Sequence, residues 1–229
     1  MATPGASHLE WTSLHPLDPD RVDDYLRRLG APAPHDEREA NALTLGLARF
    51  IAEGQPVFFQ QGLSLTTFEA RIDRGLGMLM RPPSRLLIDA GMDPVAARSL
   101  PIRLDLNAGM MGGAFVPPRL MPNARAILDE RMKRRLRRLT DAEYDAVATL
   151  GLLIEAVDYA AERGLGLYEA IDAIDPDQPA SWPRGAQVLV ADVKRLDPNL
   201  RKRLEAAAKP DKKPGLLGRV FGRPAASET

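Results

Sequence analysis

Apolar residues recur along this chain mostly at helical spacing. Val22, Tyr25, Leu26 and Leu29 fall on one face of a predicted helix over 19–29, which stops at Gly30. Ala40, Leu43, Leu47, Phe50 and Ile51 do the same over 37–53, and Gly54 closes that run. Phe68, Ile72 and Leu76 give a third stripe, extended to Met80. A long helical hairpin is expected over 123–163. Its first arm, 123–139, carries Ile127, Leu128, Met132, Leu136 and Leu139. Its second arm, 141–163, carries Tyr144, Val147, Ala148, Leu152, Ile154 and Tyr159 and is apolar around much of its circumference, the pattern of a central buried helix. Shorter helices are expected over 167–174 and 187–196, although the Val-Leu-Val run of the latter suits a strand equally. A last helix covers 198–208.

Start signals sharpen these boundaries. Asp18-Pro19, Asp93-Pro94 and Asp197-Pro198 each put a capping carboxylate before a proline, whose missing N–H is no loss in a first helical turn. Asp36 with Glu39, Thr66 with Glu69, and Thr140 with Glu143 have capping-box spacing. Helices are therefore predicted to start near 19, 37, 67, 94, 141 and 198.

The segment 81–122 breaks the pattern. It holds 7 of the 20 prolines and 4 of the 18 glycines, and Ile102, Leu104 and Leu106 alternate with charged residues as in a short strand. After Lys209 a charged, Pro-broken linker leads to Leu216, Leu217, Val220 and Phe221. The expected fold is mainly α: a multi-helix, bundle-like domain with a long helical hairpin, an irregular Pro/Gly/Met-rich middle with room for short strands, and a flexible C-terminal tail. The organisation follows as an irregular N-terminal arm (1–17), a single helical domain (18–208) and a flexible basic tail (209–229).

Composition supports a folded, water-exposed chain: 45% hydrophobic, 27% charged, with only 5% aromatic residues. The absence of cysteine excludes disulfides, thiolate metal sites and cysteine nucleophiles. Neither a secretory signal nor an apolar run of membrane-spanning length is present, so the expected location is cytoplasmic, with peripheral membrane contact open to the tail. The formal charge of zero hides blocks: +6 over 119–138, −9 over 141–177 and +7 over 194–223.

Candidate chemistry is sparse. All three histidines, His8, His15 and His35, lie in the first 35 residues; His8 and His15 flank Glu10 and sit near Asp18 and Asp20, but the spacing matches no metal motif, and they are expected to be solvated. The glycines of 107–113 follow a candidate strand as in phosphate-cradling loops, yet lack the order of a P-loop and read as a tight turn. Seven of the eight methionines lie between Met78 and Met132, in keeping with irregular core packing or an adaptable binding surface.

Two cationic segments remain. Arg131, Lys133, Arg134, Arg135, Arg137 and Arg138 follow one another on a predicted helix, with Met132 and Leu136 turned inward. They suit an anionic partner or neutralisation by the acidic stretch that follows. Without interleaved aromatics for base stacking, nucleic acid is disfavoured. The second segment is the tail, where Leu216, Leu217, Val220 and Phe221 form an apolar face beside Arg219 and Arg223, suited to a partner's groove or an anionic membrane.

The leading expectation is a non-enzymatic helical interaction or adaptor protein. It would dock to a protein partner or anionic surface through the Met/Pro-rich middle, the basic helix and the tail, with no cofactor or metal. The alternative is a small enzyme or ligand-binding domain with a pocket under 81–122. Asp89, Asp93 and Asp105 would be its acids, and Arg81, Arg85, Arg98 and Arg103 its anion clamps.

Overall fold

The computed structural model describes residues 11–30, 35–62, 64–99, 114–171 and 173–209. Its centre is a mixed five-stranded sheet of order β3-β4-β1-β2-β5, formed by β1 (Thr12–Leu17), β2 (Pro56–Phe59), β3 (Phe115–Val116), β4 (Gly166–Ile171) and β5 (Gln187–Val190). β1 pairs antiparallel with β2 and β4, β3 pairs antiparallel with β4, and β2 pairs parallel with β5. The mainly α expectation does not hold: helices predominate, but they cover both faces of a sheet.

Alternation along the strands separates two cores. Leu14, Phe58, Val116 and Leu167 face one, built with α6 (Met121–Glu130), α7 (Met132–Asp141), α8 (Ala146–Glu162) and α9 (Pro198–Ala208). Leu17, Val57, Phe115, Tyr168 and Ala170 face the other, built with α1 (Pro19–Arg28), α2 (Glu37–Ala52), α4 (Pro83–Asp89) and α5 (Pro94–Ser99).

The expected irregular arm 1–17 instead contributes β1, all six of whose residues are buried. Its Pro16 lies beyond the last β1–β2 register pair, Leu14↔Phe58, so its missing N–H interrupts no bond of that ladder. The helix expected over 167–174 is instead the interior strand β4, and the 187–196 run forms β5 followed by a 3-10 turn. The middle segment is less irregular than its prolines imply. Pro83 and Pro94 each open a short helix, and Phe115–Val116 adds an edge strand. The candidate strand 102–106, the glycine turn 107–113 and the tail 210–229 lie outside the described residues.

Caps explain most helix limits. Asp18, Asp36 and Asp197 accept backbone N–H groups at the starts of α1, α2 and α9. The third stripe behaves differently. Ser64, not Thr66, caps the short helix α3 (Leu65–Thr67), which widens into a π-helical turn, Phe68–Ile72, and stops at Asp73. The hairpin is also rearranged. Its first arm breaks at Arg131, between α6 and α7. Thr140 caps nothing and donates to the Leu136 carbonyl, while Asp145 caps α8. Glu143, the expected capping-box partner, has φ 64° and forms the left-handed turn that ends α7.

Candidate functional site

α7 displays the cationic run and divides it. At helical spacing Arg135 and Arg138 lie to one side of the core-facing Met132, Leu136 and Leu139, while Lys133 and Arg137 lie to the other. On the first side the run meets Asp73, which the end of the π-helical turn delivers into the core. The Asp73 carboxylate is 3.1 Å from Arg135 Nε, 3.4 Å from Arg134 and 3.8 Å from Arg138. Arg138 also donates to the Ile72 carbonyl at 2.7 Å, and Arg135 donates to the Ile127 carbonyl. Arg135 is fully buried, while Arg134 and Arg138 remain 44% and 41% exposed. Among the described residues the carboxylate paired with these three arginines is therefore Asp73.

The second side faces α9. Between the two helices runs a groove of about 600 Å³. Among the described residues its apolar lining is Leu136 from α7 with Ala207 and Ala208 from α9, its cations are Lys133, Arg134, Arg137 and Lys209, and its carboxylate is Asp141. Leu204, buried beneath, fixes α9 against α7 and α8. Chemically, a groove with this lining suits an anion that also offers apolar contact. Among the described residues no aromatic ring lines it for base stacking.

A second cleft, of about 580 Å³, opens where α6, α8 and the start of α9 meet. Its charges are already matched. Arg125 pairs with Asp158 at 2.6 Å and with Asp129, Arg203 pairs with Asp129 at 2.9 Å, and Glu155 accepts the Asp197 N–H at 3.2 Å. Partial burial raises the Glu155 carboxyl above its ordinary value, and Arg163 stacks on the Tyr159 ring at 3.7 Å. This cleft is a charge-paired network rather than a surface of one sign.

The other sequence candidates are dispersed. Asp89 pairs with Arg85 on α4 at 2.9 Å, Asp93 caps α5 through Val95 and Ala96, and Arg81 donates to the Met78 and Met80 carbonyls. Asp105 and Arg103 lie outside the described residues. Of the methionines, Met92 and Met121 are buried, Met80 and Met132 half-buried, and Met78 is exposed. Among the described residues no group of three or more His, Asp or Glu side chains is placed to hold a metal ion, and no helix is long and apolar enough to cross a membrane.

Two buried polar groups escaped the sequence reading. His15, expected in solvent, lies fully buried in β1. Its Nε2 is 2.8 Å from Ser13 Oγ, its ring packs 4.9 Å from Tyr168, and burial lowers its pKa to about 3. A Ser–His pair suggests a nucleophile, but both side chains are sealed inside the sheet. Glu169, in β4, accepts from the N–H and hydroxyl of Thr66 at 3.0 and 2.7 Å, and burial outweighs these bonds to raise its carboxyl to about 7. It acts as a long-range cap for α3. A polar residue within an apolar stretch was the only signal for either.

Comparison of the chain with protein-family models, with curated proteins and with solved structures gives no match, so the reading of this site rests on its own residues.

Proposed function

We propose that this chain is a non-enzymatic docking protein that holds an anionic partner in the groove between α7 and α9. The observation that carries this reading is the composition of that groove: among the described residues four cations and one carboxylate line it beside Leu136, Ala207 and Ala208. Such a surface steers an anionic partner electrostatically, while its apolar residues supply contact area. The neighbouring cleft offers no comparable excess of one sign. Of the acids and arginines considered for a pocket under 81–122, Asp89 pairs with Arg85, Asp93 caps α5, Arg81 donates to backbone carbonyls and Arg98 is exposed on α5, so among the described residues they form no common group.

Fluorescence anisotropy with a labelled polyglutamate peptide tests the proposal. The wild-type chain is expected to bind at low salt and to release the peptide as salt rises. Reversing two exposed groove charges, Lys133→Glu with Arg137→Glu, is expected to weaken binding at least about tenfold, since each contributes on the order of 1 kcal/mol. Equal binding by wild type and the double variant would remove the groove from consideration.

A further inference from the structure

We propose that the outer edge of β5 pairs antiparallel with β5 of a second copy of this chain, about a two-fold axis at Val188, so that two sheets become one. The two ends of the sheet differ. β3 is two residues long and is followed by Pro117 and Pro118, and its outer side is bridged by Arg81, whose N–H and carbonyl bond Phe115 at 2.8 and 3.0 Å. β5, at the other end, pairs with β2 alone among the described residues. Its run Gln187–Val190 holds no charge and no proline, and its register with β2 is unbroken, so the usual guards of an exposed edge are missing.

The free backbone groups of this edge complement themselves. The Gln187 N–H donates to the Gln55 carbonyl, so alternation along the parallel ladder turns Gln187 and Leu189 toward β2 and leaves the N–H and C=O of Val188 and Val190 pointing outward. The Ala186 C=O, on the same planar peptide as the Gln187 N–H, points outward too. About an axis at Val188, each Val188 exchanges both its bonds with the partner's Val188, and each Val190 N–H meets the partner's Ala186 carbonyl. The same register lays Val190, 45% exposed, beside the partner's Ala186, on the face where Ala186 and Val188 already pack against the core. The charges select this register and this occupant. Arg184 and Asp192 are exposed and equidistant from Val188 in the chain, so the axis sets each Arg184 opposite the partner's Asp192. The Asp192 carboxylate uses one oxygen to accept the Lys194 N–H and keeps the other for this pairing. A register centred on Leu189 would instead oppose Arg184 to the partner's Lys194, which repels. An unrelated extended strand could meet the backbone groups, but only a second copy brings both flanking charges in the required order.

Sedimentation velocity of the full chain across a dilution series tests this. Wild type is expected to pass from dimer to monomer on dilution. Val190→Lys, which sets a cation in the apolar row of the edge, is expected to raise the dimer dissociation constant at least about tenfold. Arg184→Asp and Asp192→Arg, each acting twice through the symmetry, are expected to raise it about tenfold. The two charge changes combined oppose unlike charges again and are expected to return it close to the wild-type value, a rescue that general damage to the fold would not produce. Thermal unfolding like that of wild type establishes that the variants are folded. A wild-type chain that stays monomeric at every concentration overturns the inference. So does a dimer that none of the single substitutions weakens, and so does failure of the combined charge exchange to restore pairing.

Discussion

The Asp73 carboxylate lies 3.1 Å from the Nε of Arg135, and both side chains are only 1% exposed. This pair pins the end of the π-helical turn to α7. Asp73→Asn strands the buried Arg135 charge and is expected to destabilise the fold by about 3–5 kcal/mol, while Arg135→Met, which leaves Asp73 with Arg134 and Arg138 at 3.4 and 3.8 Å, should cost less. Replacing both with apolar residues should cost less than the sum of the single changes. Urea denaturation of the two variants and their combination measures the coupling, and strict additivity would mean that the pair is not a unit.

Gly151 governs how closely the segment before α9 approaches α8. A Cβ at this position would meet the Leu196 side chain at 2.5 Å. Gly151→Ala is therefore expected to cost about 1–3 kcal/mol through overpacking. In a Leu196→Ala background the same change should be tolerated far better, because the new methyl enters the space vacated. Thermal melts of the four combinations decide this.

The turn between α7 and α8 offers a test of the corrected helix boundary. Asp145→Ala removes the α8 cap and is expected to cost about 1 kcal/mol. Thr140→Ala, at the position that capping-box spacing favours, should stay within about 0.5 kcal/mol. Glu143→Gly should stabilise by about 0.5–1 kcal/mol, since glycine adopts its φ of 64° without penalty. A large loss at Thr140 would restore the sequence-based boundary.

His15 and Glu169 give stability opposite dependences on pH. The folded chain holds the Glu169 carboxyl near 7, against an ordinary 4.5. From pH 4.5 to 7 only the folded state keeps that proton, so this contribution is lost as pH rises. His15 titrates near 3 when folded, against an ordinary 6.5. Over that range only the unfolded state takes up its proton, so stability is lost as pH falls. Between pH 4.5 and 6.5 the two slopes oppose each other. Glu169→Gln removes one of them. Relative to wild type, the variant should gain on the order of 3 kcal/mol from pH 4.5 to 7. A constant offset across that range would rule out a proton held at Glu169.

The helix starts were the most legible part of the sequence. Asp18, Asp36, Asp93 and Asp197 act locally, and each caps where its spacing indicates. The sheet was hidden because its decisive partners are remote. Thr12–Leu17 carries Thr, Ser, His and Pro, a composition that suggests a solvated arm until β4 and β2 enclose it. Gly166–Ile171 contains Glu169, whose burial depends on donors supplied by Thr66 and its neighbours. The basic run was evident from sequence, but its division was not, because Asp73 lies far from α7 in the chain and sits in the middle of a predicted continuous helix that in fact stops there.

The place of β1 in the sheet also sets the order of assembly. It is synthesised before one of its neighbours, β4, which emerges only after 148 intervening residues. Until then β1 has only β2, in a short two-stranded pairing that is marginal by itself. The loop-closure entropy must be met before that distant pairing returns any stability, which favours slow folding relative to a helical bundle of this length. During synthesis the N-terminal strand therefore waits as an open edge, vulnerable to pairing with another nascent chain, until β4 arrives to enclose it.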